Sequence, residues 1–125
     1  MTTTDLLRDI QKIKNYRGCI LVISFKELEK NPSLFREVFI VSRIAGKKLY
    51  ILIDGKPSQW ATKIRDYLSE NIDVSVYLYE IRNLDDLVKE LRIICSKDKL
   101  LFVSANYAKK LASQENLFCG EKIIV

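Results

Sequence analysis

There is no histidine among the 125 residues, and that absence removes more chemistry than any residue present supplies. Without imidazole there is no Ser-His-Asp or Cys-His nucleophile, no histidine general base and no zinc site built on ring nitrogens. Four glycines and two prolines leave little room for a glycine-rich phosphate cradle, and neither G-x-G-x-x-G nor G-x-x-x-x-G-K-[ST] occurs. The three cysteines, Cys19, Cys95 and Cys119, never fall in C-x-x-C spacing and sit in apolar surroundings. They read as buried free thiols, with a disulfide left open for a hyperthermophilic source. No apolar run approaches the ~20 residues of a membrane span. The N-terminal Met-Thr-Thr-Thr-Asp lacks the basic start and apolar core of a secretory leader, so the expectation is a cytoplasmic protein with no membrane partner. Any hydrolysis is left to carboxylates with a hard cation, or to lysine.

What is present describes an ordinary globular protein, 48% hydrophobic and 30% charged, with a length suited to one domain over 1–125. The net charge of +5 permits nucleic acid as a partner, although the same lysines would also serve a solvated surface. Abundant Lys, Glu and Ile with little Gly and Pro suit a thermophile.

Helix-period and strand-like segments alternate along the chain, the pattern of a parallel sheet covered on both faces. A first helix capped by Thr4 carries Leu6, Leu7, Ile10 and Ile13. A buried strand follows at 19–23. Ser24 and Glu27 have capping-box spacing, and Asn31-Pro32 restarts a helix whose broad apolar face is Leu34, Phe35, Val38, Phe39 and Val41. That face, around 34–45, is apolar enough to meet a second copy in a homodimer. The strand 49–54 ends on Asp54-Gly55-Lys56, and a helix opens at Pro57 or Ser58. Residues 72–81 alternate, with Ile72, Val74, Val76 and Leu78 on one face and Asp73, Ser75, Tyr77 and Tyr79 on the other, as a half-exposed strand near a sheet edge does. Asn83 caps a further helix, 100–103 reads as a strand, Ser104 to Asn106 lead into a short helix, and 122–125 closes the sheet. The predicted fold is α/β: a three-layer αβα sandwich, Rossmann-like, on a mostly parallel sheet of about five strands.

Parallel strands bring their carboxyl ends to one rim, where open α/β sheets place their ligands. That rim collects Ser24, Asp54, Lys56, Glu80, Arg82, Ser104 and Asn106, with Asp85 and Asp86 in the helical turn behind Asn83. Asp54, Glu80 and Asp85 or Asp86 are the candidate catalytic carboxylates, and oxygen ligands from separate strand ends are what Mg²⁺ or Mn²⁺ requires. Lys56, Arg82 and Ser104 are candidate contacts to a ligand or nucleic acid, and Tyr77 and Tyr79 are candidate platforms for stacked bases. Each has a purely structural alternative. The two aspartates complement a helix dipole, the serines cap helices, Asp54-Gly55 makes a turn, Glu80 and Arg82 form a surface pair, and the tyrosines are amphipathic surface residues.

The stretch 49–125 resembles the PIN-like ribonuclease superfamily. The resemblance rests on Leu52-Ile53-Asp54, similar to a first strand with its metal-binding aspartate, and on Asp85-Asp86-Leu87-Val88, similar to an acidic helix start. Leu101-Phe102-Val103-Ser104-Ala105-Asn106 resembles the strand that runs into a Thr/Ser-x-Asp motif, and 117–125 the closing strand. It implies Asp54 and Asp85 or Asp86 as metal ligands in phosphodiester cleavage. Asn106 stands where that family places a third carboxylate, and asparagine brings no negative charge. The first 48 residues precede a strand that the family normally places first. The favoured expectation is therefore a non-catalytic binding module, a degenerate PIN-like nuclease without a cofactor, contacting nucleic acid or protein. The alternatives are an active Mg²⁺- or Mn²⁺-dependent ribonuclease, and a Rossmann-like module for a small anionic ligand or nucleotide.

Overall fold

The structure, a computed structural model, describes residues 13–44, 46–69, 76–114 and 119–125. Five strands, β1 (Gly18–Ile23), β2 (Lys48–Asp54), β3 (Val76–Ile81), β4 (Lys99–Val103) and β5 (Glu121–Ile124), form one sheet in the order β3-β2-β1-β4-β5. All four pairings are parallel. The intervening helices are α1 (Phe25–Lys30), α2 (Pro32–Ile44), α3 (Pro57–Ser69), α4 (Leu84–Ile94) and α5 (Ala105–Leu111). No helix among the described residues is long and apolar enough to cross a membrane.

Two apolar clusters explain the layers. On one face, Cys19, Leu21 and Ile23 of β1, Leu49, Ile51 and Ile53 of β2, and Leu100 and Phe102 of β4 meet Leu28, Val38, Phe39, Trp60 and Ile64 from α1, α2 and α3. On the other, the alternate residues Ile20, Val22, Leu52, Leu101 and Val103 meet Leu87, Val88, Leu91, Tyr107 and Leu111 from α4 and α5. The strand period of two sends successive side chains to opposite faces, and β1, buried along its whole length, is apolar at both parities. Each fully buried aliphatic or aromatic side chain contributes roughly 1.5–3 kcal/mol. The first three strands step outward from β1 under α1, α2 and α3. The chain then returns through α4 on the opposite face to place β4 on the other side of β1. That reversal makes the gap between the carboxyl ends of β1 and β4 the topological switch point.

Local signals act as the sequence predicts at several joints. The Ser24 Oγ accepts from the Glu27 amide at 3.1 Å and caps α1. Pro32 opens α2 at the first helical position, where its missing N–H costs nothing. Gly46, at φ +67°, ends α2 in the left-handed region.

Two expectations, on the cysteines and on the faces of β3, need revision. Cys95 and Cys119 form a disulfide, with Cα atoms 4.8 Å apart, and Cys19 is a buried thiol outside that bond. β3 is an edge strand as expected, but its two faces do not divide into core and solvent as predicted. Tyr79, with Ile81, packs into the cluster under α4, while Leu78 on the supposed core face is 37% exposed. On α2, Val38 and Phe39 are buried inside the fold and Ile40 is 41% exposed; the side chains of Leu34, Phe35 and Val41, marked for a homodimer, lie outside the described residues. So do the first helix up to residue 12 and residues 70–75 and 115–118 of the segments anticipated there.

Candidate functional site

Asp54 is the last residue of β2, and the sheet register decides where its carboxylate goes. Ile53 pairs with Ile23 of β1 and with Glu80 of β3, and Asp54 pairs with Ile81. Residues paired across parallel strands share a face, so Asp54 leaves the sheet with Ile81, toward α4 and α5. Glu80 leaves with Ile53, on the face of α1, α2 and α3.

The Asp54 carboxylate is held at both oxygens. Oδ1 accepts from the backbone N–H of Phe25 at 2.8 Å, and Oδ2 accepts from the Tyr107 hydroxyl at 2.5 Å. Phe25 is the first residue of α1 and carries one of the N–H groups that a helix leaves without an internal partner. Ser24 supplies the acceptor for Glu27, and Asp54 supplies it for Phe25. Gly55 permits this approach. At φ +93° it turns β2 away in a conformation that side chains resist, and a Cβ there would lie 3.0 Å from that of Phe25. The Gly55 carbonyl then accepts from the Trp60 indole N–H at 3.0 Å, which anchors the start of α3 to the same turn.

Tyr107 comes from the far side of the rim. Helical side chains lean toward their own N-terminus, so a tyrosine in the first turn of α5 reaches back over the strand ends. It is 3% exposed, and its hydroxyl is pushed well above the ordinary tyrosine range. Burial is the largest cause, followed by the hydrogen bond to Asp54 and the Asp54 charge. The Lys110 ammonium sits 4.9 Å from the Tyr107 ring centroid. Beside this pair lies a cleft of ≈ 220 Å³ lined by Asp54, Ile81, Arg82, Asn83, Leu84, Tyr107 and Lys110.

Of the predicted site residues, the structure brings Asp54 and Arg82 together at this cleft. It does not bring the carboxylates together. Glu80 is on the opposite face, and Asp85 and Asp86 lie in the first turn of α4 outside the cleft lining. Asn83 uses its side-chain oxygen to cap that turn, accepting from the Asp86 N–H at 2.8 Å. Among the described residues, no three His, Cys, Asp or Glu side chains are grouped as a metal ion needs. With no second acidic side chain beside Asp54 in the cleft lining, the described residues do not supply the carboxylate set for Mg²⁺ or Mn²⁺ that the PIN-like resemblance implies.

The other candidates are scattered. Lys56 and Asn106 are exposed. Ser104 is 2% exposed, and its hydroxyl caps nothing and has no hydrogen-bond partner among the described residues, at the switch point beside β1. Tyr77 donates its hydroxyl to Glu90 at 2.9 Å, and its ring lies 5.5 Å from that of Tyr50. The hydrogen bond to Glu90, and then burial, raise its pKa. Tyr79 is raised chiefly by burial and next by the Asp86 charge. Neither is a bare stacking platform.

Sequence reasoning missed Tyr107 and Lys110. A tyrosine three residues after the serine that follows β4 was the available signal, because that spacing returns its hydroxyl to the rim. Comparison with known proteins returned no matching family model, no matching curated protein and no matching solved structure.

Proposed function

We propose that this chain is a non-catalytic αβα module that binds nucleic acid along the carboxyl rim of its sheet, and that it derives from a PIN-like nuclease whose carboxylate set is incomplete. The observation that carries the reading is the state of Asp54. A carboxylate that fastens α1 and α5 to the end of β2 is engaged in structure and is poorly placed to hold a cation or activate water. Lys56, Arg82 and Lys110 are exposed close to that rim, and the net charge of +5 favours a polyanion. A disulfide in a Lys-, Glu- and Ile-rich chain agrees with a cytoplasmic protein of a hyperthermophile, a setting in which such bonds persist.

The test is incubation of a labelled single-stranded RNA with the protein and Mg²⁺ or Mn²⁺, with anisotropy to follow binding. The expected result is binding that weakens as salt rises, and an intact RNA. Metal-dependent cleavage that disappears in a folded Asp54→Asn variant would overturn the non-catalytic reading. Absence of binding at low salt would overturn the nucleic-acid reading. The size of the cleft favours a second reading, a small anionic ligand such as a nucleotide.

A further inference from the structure

We propose that the cleft between the β3–α4 turn and α5 is a seat for a single phosphate group, gripped by Arg82 and Lys110. This rests on the nucleic-acid reading above, and the seated group is then a backbone phosphodiester. The two cations come from elements far apart in sequence, one just past the end of β3 and the other on α5, yet they line the same ≈ 220 Å³ space. Arg82 has no ion-pair or hydrogen-bond partner among the described residues, so its guanidinium fork keeps its donors for a ligand. Lys110 is steadied over the Tyr107 ring at 4.9 Å rather than by an acid.

The neutral groups suit the same ligand. The Asn83 oxygen is committed to the Asp86 amide, which leaves its NH₂ as a donor. The Asn83 side chain does not cover the Leu84 amide, and Leu84 lines the cleft at the start of an 11-residue helix. The one acid in the lining is Asp54. Its oxygens already accept from Phe25 and Tyr107, and two cations against one carboxylate leave the lining with one positive charge in excess. Leu84, an exposed apolar side chain of the same lining, adds apolar surface for the sugar beside the phosphate.

The experiment measures anisotropy of a labelled single-stranded RNA against wild type, Arg82→Ala, Lys110→Ala and Lys14→Ala. Lys14 is an exposed control that precedes β1, at the opposite end of the sheet. Each cleft variant is expected to weaken binding about tenfold at moderate salt and to reduce the salt slope by about one, and the control by neither. Circular dichroism confirms that the variants, changed at exposed positions, remain folded. If wild type binds RNA and both cleft variants bind equally well, the seat is refuted and the nucleic-acid reading stands. If wild type binds no RNA, that reading fails, and a titration with AMP and with inorganic phosphate followed by amide chemical shifts decides the seat alone. Shifts centred on Arg82, Asn83 and Lys110 support a phosphate seat for a small ligand, and their absence overturns it.

Discussion

Replacing Asp54 with alanine tests whether this residue is a clasp. The substitution removes an acceptor from the first N–H of α1 and from a hydroxyl that is buried beside α5. A hydrogen bond to a charged group contributes about 1.5–3 kcal/mol. Because Asp54 is half-buried, water can replace part of the loss at Phe25, so the lower end applies there. The Tyr107 hydroxyl has less recourse to water and is left unsatisfied. Together the loss should be about 3 kcal/mol, which for a chain of this size lowers Tm by roughly 12 °C. Asp54→Asn keeps one acceptor oxygen and should cost about half as much. Urea unfolding followed by circular dichroism at pH 7, disulfide intact, gives the number. Combined with Tyr107→Phe in a double-mutant cycle, the coupling should be about 1–2 kcal/mol. An exposed catalytic carboxylate behaves differently: its removal leaves stability unchanged or raises it. An Asp54→Ala variant within about 0.5 kcal/mol of wild type, the range of ordinary surface changes, would refute the clasp and return Asp54 to the list of free ligands.

Two further predictions concern pH and the disulfide. The Tyr107 pKa is raised above its ordinary 10.0 in the folded state, so its contribution to stability is complete below about pH 10 and is lost as pH rises through the folded value. Wild type should therefore lose stability at alkaline pH more steeply than Tyr107→Phe, as urea midpoints at pH 8 and pH 11 will show; equal slopes would argue against the buried, Asp54-bonded hydroxyl. For the disulfide, the chain separation of 24 residues corresponds to about 3 kcal/mol of loop-closure stabilisation. Reduction, or the Cys95→Ala/Cys119→Ala pair, should cost about that much, and the denatured, unreduced chain should titrate one thiol, Cys19. Three titratable thiols would refute the bond.

How far the sequence anticipates this structure depends on the range of the interaction concerned. β1 and the end of β2 are readable because a continuous apolar run bounded by Ser24 or Asp54-Gly55 is a local signal. The caps at Ser24 and Asn83 are equally local. β3 misleads because tyrosine counts as polar in an alternation yet covers apolar surface well; Tyr79 packs half-buried under α4, and that cover is supplied by a later segment. The supposed carboxylate trio fails for a related reason. Asp54 and Glu80 both stand at strand ends, but a one-residue offset in register sends them to opposite faces. Register and strand order depend on which helix covers which face, and nothing within either strand encodes that. The Cys95–Cys119 bond likewise joins places that only the finished topology makes neighbours.

The disulfide also closes a covalent ring around a whole βα unit. β4 and α5 lie between Cys95 and Cys119, so Tyr107 is inside the ring and its partner Asp54 is outside it. A peptide bond cut anywhere within the ring leaves both pieces attached. β5 would remain tethered to α4, and the Asp54–Tyr107 contact would hold the nicked unit against the sheet. A protease working in oxidising conditions could thus mark this molecule without dismantling it, and the nick would become a separation of fragments only when a reductant arrived.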